Sequence, residues 1–402
     1  MTEAHAHAAP PKVEVFNARD TGKLLPLLLG LGALGIIVSA IGAIVPSLRL
    51  QFAYSWLFAF MYFFTLTAGS LFWILVHHAT DAEWSVVVRR ILENVAGLIP
   101  IVFIFFLPLL FCAPLLWKWW TIPPGAEALL DKKRWYLSHG FFVLRLAIYW
   151  IALTVVALKL KQNSTRQDAD GAASRTITMR KFGIAGIPIF ALSLTFGAVD
   201  WLMGLDYKWA STMWGVYIFA GAAGSSMSLL VLIVTALRGK GYLRDVVTIE
   251  HYHIMGKLMF AFSVFWAYIG FSQYMLIWYA NIPEETSYFI RRNVESWWML
   301  SLFLVVGRFF IPFPLLLLQW TKKVPKVLCG IAGWIVFIQM VDLYVVIMPM
   351  RDRLGFHPSF LDFFALLAIG APLAFLFLKA LGKHNLIPTR DPRLPESLRL
   401  TN

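Results

Sequence analysis

Ten long apolar stretches constrain what this sequence can fold into more than any other feature. Each is close to the length of about 20 residues that an α-helix needs to cross a membrane. Only 14% of the 402 residues are charged, against roughly 25% in soluble domains. The sequence therefore predicts an all-α polytopic membrane protein. The predicted spans are residues 24–46, 52–76, 95–117, 136–158, 184–205, 210–236, 257–280, 296–318, 325–347 and 360–381.

The number of spans and the positions of the basic residues together predict the topology. Ten spans return both chain ends to one side, with an N-terminal tail at 1–23, a transmembrane domain at 24–382 and a C-terminal tail at 383–402. Lys and Arg are concentrated in the tails and in the loops on that side, which the positive-inside rule assigns to the cytoplasm. The formal net charge of +13 mostly reflects this bias. Lipid is the expected surrounding, and no nucleic-acid partner is needed to explain the charge.

Spans 2–5 and spans 6–9 share four features in the same order, which indicates an internal duplication. Because each copy contains four spans, the two copies would have the same orientation. The sequence therefore predicts two parallel-repeated four-helix bundles, with spans 1 and 10 flanking them. The matched pairs are Ala68-Gly69-Ser70 with Ala223-Gly224-Ser225, Ile122-Pro123 with Ile282-Pro283, Arg145 with Arg308, and Val199-Asp200 with Val341-Asp342.

Several polar side chains within the spans are predicted to lie in the membrane half that faces away from the termini. Charged groups at this depth are costly and usually functional. A buried carboxylate near a histidine can exchange protons near neutral pH, which suits quinol binding or proton handling. The alternative is that the acids and arginines form structural bridges, Asp200 with Arg145 and Asp342 with Arg308. The set is His139, Arg145, Asp200, Gln273, Arg308 and Asp342.

Hydroxyl groups and a histidine suggest a second feature, a proton path that leads toward the cytoplasm. Small hydroxyls can hold ordered water between a histidine and a buried acid. The same residue types also close-pack membrane helices, so a purely structural role is the alternative. The candidates are Thr67, Ser70 and His77 on span 2, and Ser193 and Thr195 on span 5.

Motifs for bound cofactors are lacking, and no catalytic residue is assigned. Four histidines, His77, His78, His251 and His253, are expected at a solvated interface, where further metal ligands cannot be placed. Facing histidines for haem b, a CxxCH motif, a Walker motif and a GxGxxG motif in a strand context are missing. Two cysteines are too few for a cysteine-ligated cluster. The sequence therefore predicts a cofactor-free subunit with no metal site.

Four stretches are similar to the ActF subunit family of bacterial alternative complex III, within the NrfD-like (PsrC-like) membrane subunits. The stretch at 256–286 is long and specific, and the resemblance extends more loosely over the whole chain. The family implies ten spans in two four-helix bundles. The stretches are RWYLSHGFFVLR (134–145), DWLMGLDYKWASTMWGVYIFAG (200–221), GKLMFAFSVFWAYIGFSQYMLIWYANIPEET (256–286) and VGRFFIPFPLLLL (306–318).

The resemblance implies a subunit of a respiratory quinol:cytochrome c, or oxidase, oxidoreductase in the bacterial inner membrane. Its implied partners are an NrfD-like ActC paralogue, iron–sulfur subunits and multihaem cytochrome subunits, and its implied substrate is a quinone or menaquinone. In ActC-like relatives a His and an Asp hold the quinol, and the resemblance would assign this role to His139 and Asp200 here. The resemblance leaves quinol binding and proton translocation both open.

Two other classes of protein remain compatible with the pattern. A secondary transporter would also show ten spans, a duplication and buried charges, although its paired, glycine-broken half-helices are missing here. A purely structural membrane anchor would use the buried charges only as ion pairs between helices. Copurification with haem and iron–sulfur subunits would favour the respiratory complex over both.

Overall fold

The computed structural model describes residues 14–401, which fold as an all-α, multi-pass membrane protein. Within that range, ten helical segments are long and apolar enough to span a membrane. Residues 1–13 of the predicted N-terminal tail lie outside the described residues. In chain order, spans 1 to 10 are Leu24–Ile44, Arg49–Ala79, Glu83–Phe111, His139–Asp170, Ala173–Asp206, Trp214–Gly239, Ile249–Ala280, Trp297–Leu317, Pro325–Met350 and Phe360–Leu381.

Several helices extend well beyond the apolar stretches that predicted them. Span 4, predicted at 136–158, continues to Asp170, and span 5, predicted at 184–205, begins at Ala173. The length of an apolar stretch reflects the thickness of the hydrocarbon layer. A helix can continue beyond that layer into water as long as its backbone hydrogen bonds persist. Span 3 also differs, because it begins at Glu83 rather than at residue 95.

Spans 3 and 8 are interrupted helices. Span 3 is built from Val86–Ala96, Ile99–Ile104 and Leu107–Phe111, and the second and third pieces each have a proline in their first turn. Span 8 contains a π-helical turn at Val306–Phe310 directly before Pro312–Leu317. Proline lacks a backbone N–H, so the helix restarts at each of these positions.

The ten spans form two bundles that have the same internal contacts, as the duplication predicts. In the first bundle span 2 packs on spans 3 and 5, and span 4 packs on spans 3 and 5. In the second bundle span 6 packs on spans 7 and 9, and span 8 packs on spans 7 and 9. Spans 2 and 6 also pack on each other and join the bundles, while span 1 lies against span 10.

A close backbone approach holds the two bundles together at the crossing of spans 2 and 6. A Cβ atom placed on Gly69 would lie 2.2 Å from the Ala222 carbonyl oxygen and 2.5 Å from Ser226 Oγ. Trp73 Nε1, one turn further along, donates a hydrogen bond of 3.0 Å to the Ala223 carbonyl oxygen. The bundle interface therefore requires glycine at position 69, as is usual for closely packed membrane helices.

Both ends of the described chain pack on one face of the bundles, called the terminal face below. Val15 pairs with Asn385 in an isolated β-bridge. The Thr389 backbone N–H donates a hydrogen bond of 3.0 Å to Asp168 Oδ1, at the end of span 4. The two ends therefore share a side, as the even number of spans predicts, while the assignment of that side to the cytoplasm stays a prediction.

A buried ionic cluster on the terminal face connects the C-terminal segment to span 3. Arg89 Nη2 lies 2.5 Å from Asp391 Oδ2, and Arg393 Nη2 lies 3.0 Å from the same oxygen. Arg89 and Arg90 both pair with Glu93, at 3.3 and 2.9 Å. Because the side chains of Arg89, Glu93 and Asp391 are fully buried, the predicted C-terminal tail is part of the packed structure.

Candidate functional site

Asp200 and Asp342, the two acids that the duplication matches, are both buried but have different partners. Asp200 pairs with Arg145, through Nε–Oδ2 and Nη2–Oδ1 distances of 2.8 Å. Tyr149 donates a third hydrogen bond to Asp200, at 3.0 Å. This bidentate geometry is the strong form of a charge-assisted contact. The proposed structural bridge between spans 4 and 5 is therefore formed.

The second proposed bridge, between Asp342 and Arg308, is not formed. Arg308 instead donates to Gln339 Oε1 at 2.7 Å and to the carbonyl oxygens of Ile335 and Gly221. Asp342 accepts hydrogen bonds from Tyr217 Oη at 2.5 Å and from Trp266 Nε1 at 3.0 Å. The Asp342 carboxylate is thus held by two neutral donors rather than by a direct ion pair.

A cavity of about 790 Å³ lies beside these donors, in the half of the second bundle that faces away from the terminal face. Tyr217 and Trp266, the two partners of Asp342, are part of its wall. A cavity of this size suits an organic ligand of several rings or a ring with a chain. Its walls are mostly aromatic and include Trp214, Tyr217, Trp266, Tyr274, Tyr288 and Phe309.

A few polar side chains also line this mostly aromatic cavity. Gln273, which the sequence singled out, lines the cavity, and its Oε1 accepts a hydrogen bond of 2.8 Å from Ser211. Arg292 also lines the cavity, and it donates to the carbonyl oxygens of Val345 and Val346. Burial raises the pKa of the Tyr288 hydroxyl to about 12, so this wall residue stays protonated at neutral pH.

The corresponding space in the first bundle is filled by large side chains. Trp117, Trp201 and Phe142 are all buried there. The Trp117 and Phe142 rings lie 4.9 Å apart, and the Phe106 and Trp201 rings lie 5.1 Å apart. The first bundle therefore leaves less room beside its acid than the second.

Matched positions explain part of this difference between the bundles. The residue after Asp200 is Trp201, whereas the residue after Asp342 is Leu343. Phe142 stands three residues before Arg145, whereas Val305, which lines the cavity, stands three residues before Arg308. Val305 borders the unfilled volume in the second bundle, whereas Leu343 is buried and does not line the cavity.

His139 does not join Asp200 in a shared pocket. It is the first residue of the helix in span 4 and is exposed. Its ring stacks on Trp120 at a centroid distance of 4.2 Å, and its Nε2 lies 2.9 Å from the Trp120 carbonyl oxygen. The sequence placed His139 one turn inside the membrane, but the helix begins later than the predicted span. Its contacts hold the loop between spans 3 and 4.

The five residues of the predicted proton path do not form a chain of hydrogen bonds with one another. Thr67 and Ser70 donate to carbonyl oxygens of their own helix, at Phe63 and Leu66. Thr195 packs where spans 5 and 6 approach, with its Oγ1 2.6 Å from a Cβ placed on Gly215. These contacts are of the kind that close-packed membrane helices make, and the proton path stays a prediction. Ser193 is also buried.

The expectation of solvated histidines at the terminal end of span 2 is wrong. His77 and His78 are 2% and 0% exposed, and none of their ring nitrogens has a hydrogen-bond partner in the described structure. His251 and His253 are also buried. Trp84 covers His77, with ring centroids 5.0 Å apart. Within residues 14–401, no three His, Cys, Asp or Glu side chains come together as metal ligands.

No feature of the sequence alone singled out Tyr217, Trp266 or Arg292. One signal was available, because Trp266 and Gln273 are seven residues apart and so share a face of span 7 after two helical turns. Tyr217 and Arg292 have no comparable local signal, since their roles depend on where spans 6 and 9 pack.

The fold and cavity define this chain as a multi-pass, all-α membrane protein with a candidate ligand site in its second bundle. A comparison with known protein families finds no match, and no curated protein matches the chain.

Proposed function

We propose that this chain is a membrane subunit of a quinol-oxidising respiratory complex of the alternative complex III type, and that it binds quinol in the second-bundle cavity. The observation that carries the proposal is the Asp342 carboxylate held by Tyr217 and Trp266 on the wall of an aromatic cavity. The resemblance of residues 256–286, which include Trp266 and Gln273, to the ActF family supports the same function.

The walls of the cavity suit a quinol head group. A quinol has a flat ring, which packs against aromatic faces, and two hydroxyls that need hydrogen-bond partners. Tyr217 Oη donates to Asp342 and keeps lone pairs that can accept from one hydroxyl. Gln273, which also lines the cavity, offers an amide to the second hydroxyl.

Asp342 would act as a proton acceptor in this proposal. Oxidation of a quinol to a quinone releases two electrons and two protons. The electrons would pass to iron–sulfur or haem centres on partner subunits, since this chain is proposed to bind no cofactor of its own. One proton would pass through Tyr217 to Asp342, which no arginine bridges directly, and the second would pass to water on the side that the cavity faces. In this proposal the cavity faces the periplasm.

The ion pair in the first bundle supports a structural role for that half of the chain. Arg145 and Asp200 satisfy each other, and Arg145 also stacks on Tyr136, with its guanidinium carbon 3.8 Å from the ring centroid. His139 is held by Trp120. The proposed quinol contacts therefore move from His139 and Asp200 to Asp342, Tyr217 and Gln273.

Tyr217→Phe tests the proposal against a matched control, Tyr344→Phe. Both tyrosines donate to a buried aspartate, Tyr217 to Asp342 and Tyr344 to Asp362, but only Tyr217 lines the cavity. The affinity for the reduced quinol is measured by calorimetry without oxygen, on the full chain in lipid nanodiscs. Tyr217→Phe should weaken quinol binding up to about tenfold, the scale of a hydrogen bond between uncharged groups. Tyr344→Phe should bind like wild type. Wild-type quinol affinity in Tyr217→Phe would refute the site.

Proton translocation is a second candidate function, and His77 favours it. Buried polar groups normally have a partner, so the ring nitrogens of His77 and His78 indicate ordered water on the terminal face. Replacing His77 by Leu in the assembled complex should lower proton uptake while leaving quinol oxidation unchanged. Equal losses of both activities would point to misfolding instead.

A further inference from the structure

We infer that the second-bundle cavity opens sideways into the membrane between spans 7 and 8, and that an isoprenoid-tailed quinol enters through this gap. The inference rests on the proposed function and adds the route of entry and the part of the ligand that the gap holds. Neither the sequence pattern nor the comparisons assign such an opening.

The first observation is that spans 7 and 8 separate in one half of the membrane. Span 7 packs on the last part of span 8, at Pro312–Leu317, and on its π-helical turn, Val306–Phe310. The first part of span 8, Trp297–Val305, packs on span 9 instead. The gap between spans 7 and 8 therefore lies in the same half as the cavity, and the irregular turn marks its edge.

The second observation is that the residues at this gap line the cavity and are also exposed on the outside of the protein. Phe271 on span 7 and Leu302 and Phe310 on span 8 all line the cavity. The same side chains are 65%, 54% and 61% exposed on the outer surface of the protein. A continuous apolar surface thus leads from the outside of spans 7 and 8 to the cavity.

The third observation is the polarity of the two ends of this space. The inner end has Tyr217, Gln273 and, behind them, Asp342, whereas the gap is lined mostly by apolar side chains such as Leu302 and Val305. A ligand that fits both ends has a polar ring and a long apolar tail. A tailed quinol has this chemistry and is itself dissolved in the membrane, so it needs no path through water.

A tail-dependent binding experiment tests the gap. The full chain is placed in lipid nanodiscs, and association rates are measured for a tailless quinone and for one with a long isoprenoid tail. Leu302→Trp enlarges a side chain in the gap, and Phe303→Trp, on the same helix but outside the cavity wall, is the matched control. Leu302→Trp should slow association of the tailed quinone at least about tenfold. It should leave the tailless quinone unchanged, and Phe303→Trp should affect neither.

The outcomes separate this inference from the proposed function. If the wild-type chain binds neither quinol nor quinone, the proposed function fails. If quinones bind but Leu302→Trp slows both or neither, the site stands and the sideways entry is refuted. A copurified phospholipid that mass spectrometry detects, and that quinone does not displace, would also overturn the inference. Normal binding of the tailless quinone shows that Leu302→Trp has folded.

Discussion

Asp200 is locked to Arg145 by two hydrogen bonds of 2.8 Å, whereas Asp342, its match in the second bundle, is held by a tyrosine and a tryptophan. A duplicated pair of acids has therefore acquired two different environments. The first acid is neutralised between helices, and the second lies beside a cavity with no direct counter-charge.

Breaking the Arg145–Asp200 pair should destabilise the protein strongly. Asp200→Leu leaves the buried guanidinium of Arg145 without its counter-charge, and the loss of one partner of such a pair costs about 3–5 kcal/mol. The double variant Arg145→Met, Asp200→Leu should recover most of this stability, because it removes both charges. Thermal unfolding in detergent measures the difference. A double variant as unstable as the single one would contradict a structural role for the pair.

Neutralising Asp342 should change the stability very little. Tyr217 and Trp266 donate to different oxygens of Asp342, and Asp342→Asn keeps one of them, which can accept from Trp266 Nε1. Its NH2 group can donate to Tyr217 Oη, because a tyrosine hydroxyl can also accept. The variant also removes a desolvated charge that has no direct ion pair. The free energy of unfolding should change by less than about 1 kcal/mol. The free energy of unfolding of Asp342→Asn is compared with that of Asp200→Asn. If Asp342→Asn is the less stable of the two, the difference between the bundles is not as described.

The ion pairs of Asp391 should make stability depend on pH. Burial alone would raise the pKa of Asp391, but the nearby guanidinium groups of Arg89 and Arg393 lower it below its ordinary value. Because the folded pKa is lower than the unfolded pKa of about 3.9, this stabilisation is fully present above about pH 4. It is lost as the pH falls through the folded pKa.

Asp391→Asn tests the same contact by mutation. The variant should be less stable at pH 7 by about 3–5 kcal/mol, since it leaves two arginines beside a neutral amide. It should also lose the additional acid destabilisation that the wild-type chain shows below about pH 4. Glu396→Gln, an exposed acid in the same segment, is the control and should behave like wild type. Matching pH profiles for Asp391→Asn and wild type would argue against the ionic cluster.

Adding a methyl group at Gly69 should loosen the contact between the two bundles. The new Cβ would overlap the Ala222 carbonyl oxygen, and overpacking of this kind typically costs about 1–3 kcal/mol. Gly330→Ala, in span 9 with open space around its Cβ, is the matched control and should be neutral or slightly stabilising. The unfolding temperatures of the Gly69→Ala and Gly330→Ala variants are compared with that of the wild type. Equal effects would show that helix propensity, rather than the crossing, controls the result.

The ten spans and the two bundles could be predicted because they depend on local signals. A span needs only a long apolar stretch, and the matched Arg and Asp positions indicate which spans repeat. Gln273 and Asp342 stood out for the same reason, as polar residues in apolar sequence.

The cavity and the buried histidines could not be predicted in this way. The cavity depends on side-chain volumes across several helices, such as Phe142 in one bundle and Val305 in the other. His77 and His78 occupy the end of a helix, where solvent is the usual surrounding. They are buried because neighbouring segments, including the one that contains Trp84, cover them, and no pattern near the histidines encodes that packing.

The contact between Arg89 and Asp391 joins residues 302 positions apart, and this has a consequence for how the protein is made. A ribosome adds roughly 5–20 residues per second. Some tens of seconds would therefore pass between the synthesis of Arg89 and that of Asp391, which supplies the carboxylate. During that interval the newly inserted third span would need lipid headgroups, water or a chaperone around its arginines. Maturation of the first bundle would therefore finish only after Asp391 has been synthesised, and chains that stop before this residue would be natural substrates for membrane proteases.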